Sequence, residues 1–209
     1  MPTLTSHLRR ARRSSLFEFV FTIVIAVGLA LSVQAYALKP FKIPSGSMEP
    51  TLDVGQRVLV NRISHRLGAQ PKVGDVVVFR PPAGADAMTC GDPHAGTGTP
   101  RPCDRPGPGQ HSEIFIKRVV AVGGDTIAIR NGRAIRNGRP ASEPFTRPCG
   151  GVGGCNFPQA IRVPAGYVFV MGDNRGASDD SRYWGPVPVS SVIGEAFATY
   201  WPPSRVGAL

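Results

Sequence analysis

The sequence predicts an all-β exported region of antiparallel sheets standing behind one N-terminal transmembrane α-helix. Three observations carry that expectation. Residues Phe19 to Leu38 contain no charge. All recognisable periodic segments after Leu38 are short β-branched runs bounded by Gly, Pro or Asn. The four cysteines, Cys90, Cys103, Cys149 and Cys155, all follow the apolar stretch. Composition agrees with a folded but loop-rich chain. Of 209 residues, 25 are Gly and 21 Pro, and 42% are hydrophobic, which excludes a collagen, a long coiled coil and a small disulfide-only scaffold.

Twenty helical residues rise by roughly 30 Å, the thickness of a bilayer's hydrocarbon. Arg9, Arg10, Arg12 and Arg13 precede the apolar stretch. By the positive-inside rule they hold residues 1–18 in the cytoplasm, make 19–38 a single span and send the rest outside. The expected location is therefore a cell (plasma or inner) membrane. A cleaved signal peptide is the alternative, with Ala35-Tyr36-Ala37 as its site. Signal-peptide apolar cores run to about 7–15 residues, however, so the longer stretch favours a retained anchor. The formal charge of +10 thus splits into a topology signal and a diffuse exported surface of about +7. No basic patch interleaved with aromatic residues occurs, so nucleic acid is not an expected partner.

An even set of cysteines in an exported region reads as disulfides. Four cysteines allow three connectivities, of which Cys90–Cys103 with Cys149–Cys155 closes two short loops. Zinc is disfavoured because no Cys-x-x-Cys spacing and no paired His accompany them, and no metal is expected.

The strands follow from period and punctuation. Arg57–Asn61, Asp75–Arg80, Ile114–Val122, Thr126–Arg130, Tyr167–Met171 and Val192–Tyr200 are β-branched runs. Asn131-Gly132 and Asn137-Gly138 flank Arg133–Arg136 and signal hairpins. Residues 39–124 and 165–209 are expected to form the main β domain, and 125–164 a small inserted β subdomain. Pro81–Ser112 and Glu143–Gln159, rich in Gly, Pro and polar residues, are expected as cysteine-pinned surface loops.

Three segments could support chemistry. Ser47 lies between Gly46 and Met48 in a Pro-bounded loop soon after the apolar stretch. A serine hydroxyl needs a base. His7, His94 and His111 are poorly placed, and His65 has polar neighbours suited to a solvated surface. Only four lysines occur, and Lys117 alone sits in an apolar strand, sharing a side with Phe115 and Val119 by the two-residue period. Desolvation there would lower its pKa toward that of a general base, whereas a snorkelling or carboxylate-paired lysine would remain a cation. The third segment, Gly172 to Gly185, is a tight polar loop after an apolar strand.

In this order, Ser45-Gly46-Ser47-Met48-x-Pro50-Thr51-Leu52, Gly74 to Phe79, Ile116-Lys117-Arg118-Val119-Val120 and Gly172-Asp173-Asn174-Arg175 through Ser178, Asp180, Ser181 and Arg182 resemble the bacterial type I signal peptidases (leader peptidases). The resemblance implies a membrane-anchored serine endopeptidase that cleaves signal peptides from exported preproteins after small residues, Ala-x-Ala. It implies Ser47 as nucleophile and Lys117 as general base. Ser45 and the Ser47 N–H would form the oxyanion hole, Ser178 would orient the lysine, and Arg118, Asp173, Asp180 and Arg182 would brace the site. No cofactor is implied. The implied partners are preproteins, the lipid bilayer and, as a further candidate, the translocation machinery. Family members carry a cysteine pair in the second domain, to which Cys149 and Cys155 could correspond. The sequence departs from the family's turn at Ala121-Val122-Gly123-Gly124-Asp125 and in the long Pro81–Ser112 insert. A self-cleaving repressor-type Ser–Lys hydrolase and an anchored basic binding module are rivals; the apolar stretch and exported cysteines argue against the first, the scattered charge against the second.

Overall fold

The computed structural model describes residues 16–29, 31, 38–150 and 154–209. It divides into two compact units, residues 1–39 and 40–209. In the first, helix α1 covers residues 16–29. Leu16, Phe17, Phe19, Val20 and Phe21 on it are exposed apolar side chains. Among the described residues no helix is long and apolar enough to cross a membrane. The expected span over 19–38 therefore is not seen whole: residues 30 and 32–37, the Ala35-Tyr36-Ala37 site and the four arginines lie outside the described residues, and Leu38 already belongs to a strand.

The second unit is built on antiparallel sheets, as the period-two runs require. Its first sheet uses the Pro40–Lys42 part of β1 (Leu38–Lys42), with β2 (Arg57–Asn61), β3 (Val76–Phe79) and β4 (Phe115–Val122). A second, four-stranded sheet holds β5 (Thr126–Arg130), β6 (Arg133–Arg136), β7 (Arg139–Pro140) and β8 (Phe157–Arg162), in the order β7-β6-β5-β8. The chain then returns to the first sheet with β9 (Tyr167–Met171), β10 (Val187–Pro188), β11 (Val192–Trp201) and β12 (Gly207–Ala208). Strand order there is β1-β2-β11-β3-β4-β9-β10, with β12 on β11. One-turn helices α2 (Ile63–Arg66) and α3 (Ser181–Trp184) sit in the connections.

Both Asn-Gly pairs turn as expected. Asn131, Gly132, Asn137 and Gly138 have φ of 51°, 75°, 52° and 76°, the left-handed pair that a two-residue hairpin turn needs. Strands β1, β7, β8, β10 and β12 were not expected. Four of them expose most of their length or have only two residues, too few for a visible period. The fifth, β8, replaces the end of the Glu143–Gln159 loop; Pro158 and Gln159 disguise a strand whose Phe157 and Ile161 are buried.

The two sheets share a core. Val120, Ala121, Phe169 and Met171 of the first pack with Ile127, Ile129, Ala134, Phe157 and Ile161 of the second. Strand β4 is buried along Ile116–Ala121, so it shows no apolar–polar alternation.

The insert Pro81–Ser112 contains turns and a single bridge, Pro82 with Gln110, rather than strands. It is more than a surface loop. Ala85 and Cys103 are fully buried, and the Cys103 N–H donates to the Arg182 carbonyl of α3 at 3.0 Å. Disulfides join Cys90 to Cys103 and Cys149 to Cys155. A bridge closing a loop of about 15 residues stabilises by about 3 kcal/mol, mainly by restricting the unfolded chain. Replacing both Cys90 and Cys103 by Ser is expected to lower stability by about that amount in urea unfolding.

Candidate active site

Ser47 is placed by apolar anchors on either side of it. Ile43, Met48 and Leu52 are buried with Val58, Val60, Val76, Val78 and Ile116. Between the anchors the backbone makes one turn of 3-10 helix, Gly46–Met48. The turn is closed by the Glu49 N–H donating to the Gly46 carbonyl at 3.1 Å, and the next by the Leu52 N–H on the Met48 carbonyl at 2.9 Å. These contacts leave Ser47 itself 7% exposed at the edge of a cleft.

Lys117 comes from the centre of the first sheet. It lies opposite Val77 in β3, while Phe115 and Val119, two residues to either side, join the cluster around Val77 and Phe79. The side chain is 4% exposed, and Nζ donates to Ser47 Oγ at 2.7 Å across 70 residues of sequence. Burial pulls its pKa from 10.5 down to about 8, while the charges of Asp180 and Asp179 act in the opposite direction. Ser45 Oγ donates to Ser47 Oγ at 3.3 Å.

The polar loop after β9 holds the serine turn from behind. Asn174 donates its backbone N–H to the Ser47 carbonyl at 3.1 Å and its side-chain amide to the Gly46 carbonyl at 3.0 Å. Gly172 lies so close that a Cβ there would overlap both the Ser47 carbonyl and Ser178 Oγ. Asp173 is completely buried and accepts from Arg118 Nε and Nη2 and from Thr51 Oγ1. The Arg118 guanidinium reaches the Gly74 carbonyl at 2.7 Å and stacks on Phe145 with its carbon 4.1 Å from the ring centre. Strand β4 and the serine loop are thus clamped to one carboxylate.

A second clamp lies deeper. Asp180 and Arg182 are completely buried, with Arg182 Nε 2.7 Å from Asp180 Oδ1. Buried ion pairs persist when every remaining donor and lone pair finds a partner. Here Arg182 also donates to the Gly154 and Ser178 carbonyls, and Asp180 accepts from the Gly172 N–H at 3.0 Å. Burial pushes the Asp180 carboxyl up, but the Arg182 guanidinium overrides it and holds the group below the usual carboxylate range. Ser178 is 5% exposed. Its Oγ completes no hydrogen bond among the described residues, although it lies near enough to Asp180 to favour the ionised carboxylate.

The structure therefore gathers Ser45, Ser47, Lys117, Arg118, Asp173, Ser178, Asp180 and Arg182 around one cleft or directly behind it. The four cysteines form bridges away from the Ser47–Lys117 contact. His65 is half-buried rather than solvated, and lines a different, small cavity with Asp75 and Glu195. The roles of Thr51 and Asn174, and the close approach of Gly172 to the Ser47 carbonyl, are not anticipated, because these partners lie more than a hundred residues apart in sequence. The inward pair of Arg175 with Glu143 (2.7 Å) was likewise unforeseen. Among the described residues no cluster of His, Cys, Asp or Glu could hold a metal ion.

A serine hydroxyl bonded to a desolvated lysine in an open cleft is the arrangement of a serine hydrolase. Comparison with known proteins narrows the class. Residues 16–201 match the family model described as signal peptidase, peptidase S26. A signal peptidase I of Mycobacterium tuberculosis is 38% identical over 98% of this chain and 79% of its own length. A probable signal peptidase I-1 of Synechocystis is 37% identical over 92% of this chain and 86% of its own. A signal peptidase I of known crystal structure from Enterococcus faecalis is 26% identical, with a TM-score of 0.37 over 61% of this chain and 97% of that one. The chain belongs to the signal peptidase family, peptidase S26, whose members are serine endopeptidases.

Two outcomes follow from this packing. Gly172→Ala would have to displace the Ser47 carbonyl or Ser178, and overpacking of that kind costs about 1–3 kcal/mol; thermal unfolding should show the loss, with peptidase activity falling further than stability. For Lys117, a depressed pKa means that the unfolded chain binds the extra proton between pH 8 and 10.5. Stability of the parent therefore rises with pH across that window. Lys117→Met lacks the term, so the variant's melting temperature relative to the parent should be highest below pH 8 and decline toward pH 10.5.

Proposed function

We propose that the chain is a membrane-anchored signal peptidase I in which Ser47 is the nucleophile and Lys117 the general base. The observation that carries the reading is the 2.7 Å bond from a buried Lys117 Nζ to Ser47 Oγ. A lysine with a pKa of about 8 is neutral in about a tenth of molecules at pH 7, several hundred-fold more than an ordinary lysine, as a base requires. Neutral Lys117 takes the Ser47 proton as Oγ attacks the carbonyl at the signal-peptide cleavage site. Ser45 Oγ and the Ser47 N–H hold the oxyanion, a donor of this kind being worth about 100- to 1000-fold in rate. The lysine then protonates the leaving amine, and a water that it deprotonates releases the acyl-enzyme. Ser178, buried and with its hydroxyl uncommitted, is assigned to orienting the lysine. Arg118, Asp173, Asp180 and Arg182 brace the turn and strand rather than take part in the chemistry.

Substrate access is supported by an incomplete strand pairing. Strand β4 pairs with β3 from Phe115 to Arg118, but with β9 only from Arg118 onward. Among the described residues no strand lies along the other edge of Phe115–Lys117, which lines the cleft with Ser45 and Ser47. An extended peptide adding there would present alternate side chains to the wall, the geometry that an Ala-x-Ala rule needs. Preproteins carrying signal peptides are the substrates. Residues 19–38 anchor the chain in the cell membrane, with residues 1–18 cytoplasmic, 39–124 and 165–209 as the catalytic domain and 125–164 as its insertion.

Purified protein should cut a preprotein bearing an Ala-x-Ala site, whereas Ser47→Ala and Lys117→Met should each lose at least about 100-fold, read by gel shift of the processed product. Cleavage persisting in both variants would sink the dyad. Activity of the parent should climb with pH through about 8 as Lys117 loses its proton. Protease added to intact cells should digest the domain beyond residue 38 if the anchor is retained.

A further inference from the structure

The whole chain carries a formal charge of +10, yet its candidate cleft is acidic. The ionisable residues lining that cavity of about 370 Å³ are Lys117, Glu113 and Asp179. In the working state Lys117 is neutral, so the cleft then holds two negative charges and no positive one. Both carboxylate residues are exposed. Among the described residues neither enters an ion pair; the salt bridges use other acids, such as Asp173 with Arg118 and Asp180 with Arg182. Most other acids of the exported unit sit in ion pairs, Asp75 and Glu195 being exceptions outside this cleft, so the two charges left open in the cleft are available to a ligand.

Their placement relates to the free edge of β4. Glu113 precedes Lys117 by four residues, about 13 Å along an extended chain. Asp179 follows Ser178 and lines the same cleft. A peptide extended along Phe115–Lys117 with its scissile carbonyl at Ser47 therefore lies in a cavity lined by both carboxylates.

We infer that Glu113 and Asp179 make this cleft select substrates with a basic side chain within about four residues of the scissile bond, and discriminate against acidic ones there. The inference rests on the peptidase reading above and adds a charge rule to its small-residue rule. Exposed ion pairs contribute little singly, so each carboxylate should change the preference by about 2- to 5-fold. The effect should weaken as salt shortens the screening length from about 10 Å at 0.1 M to about 3 Å at 1 M.

The test uses the full chain in detergent and synthetic peptides with one Ala-x-Ala site. Lys, Gln or Glu is placed in turn at each of four positions on either side of the bond. The parent should show a higher kcat/KM for Lys than for Glu at one or more positions, fading at high salt. Glu113→Gln and Asp179→Asn should each reduce that ratio, and Glu113→Lys should invert it at the affected position. A Lys-to-Glu ratio of one throughout, or one unchanged in all three variants, overturns the charge rule while leaving the peptidase reading intact. If neither the neutral peptide nor any other is cut by the parent, the peptidase reading itself fails, and the charge rule with it.

Discussion

A lysine can hydrogen-bond to a serine hydroxyl as a base only where water is kept from its ammonium form. That buried contact, Lys117 Nζ to Ser47 Oγ, is the constraint around which the rest of the unit is arranged. Burial of Ile116–Ala121 on β4 supplies the low-dielectric wall. The second sheet contributes by covering the far part of that strand through the shared core of Val120, Ala121, Ile127 and Phe157. Removing water also raises the cost of any unpaired charge, so the buried charged groups around the contact must find partners. The Asp173–Arg118 and Asp180–Arg182 clamps meet that requirement. Each ties a strand of the sheet or the helix α3 to the segment 172–174, which supports the serine turn from behind.

The clamps also explain an arrangement that a simple list of site residues conceals. Asp180 is bonded to the Gly172 N–H, Gly172 abuts the Ser47 carbonyl, and Asn174 accepts no substitute position because its two donors meet the carbonyls of Gly46 and Ser47. The insert reaches the same network from outside, through the Cys103 N–H on the Arg182 carbonyl. A segment that looks peripheral in sequence thus touches the backbone of a residue in the deepest ion pair.

Legibility in the sequence followed the physics of each element. Strands with two or more β-branched residues between turn formers, such as Arg57–Asn61, Thr126–Arg130 and Tyr167–Met171, have the bounds expected of them. Lys117 stood out because a lone lysine in Ile114–Val122 has no surface to reach. The hidden parts are those fixed by distant partners. Phe157–Arg162 is a strand because Thr126 to Ile129 offers it an edge, and Thr51 matters because Asp173 lies beside it. Neither relation leaves a periodic trace. The apolar stretch 19–38 reads clearly as a sequence, and its structure is described only in part.

The half-paired β4 has one more consequence. An open strand edge invites another copy of the chain to pair with it, and folded proteins restrict such edges to avoid aggregation. Here the open length is three residues, Phe115 to Lys117, recessed in a cleft and preceded by the charge of Glu113. That is too short to nucleate a stable sheet between molecules. It is also about 10 Å of backbone, enough to grip a tripeptide and little more. What backbone pairing alone can read along an edge of that length is three residues, the reach of a small–any–small rule.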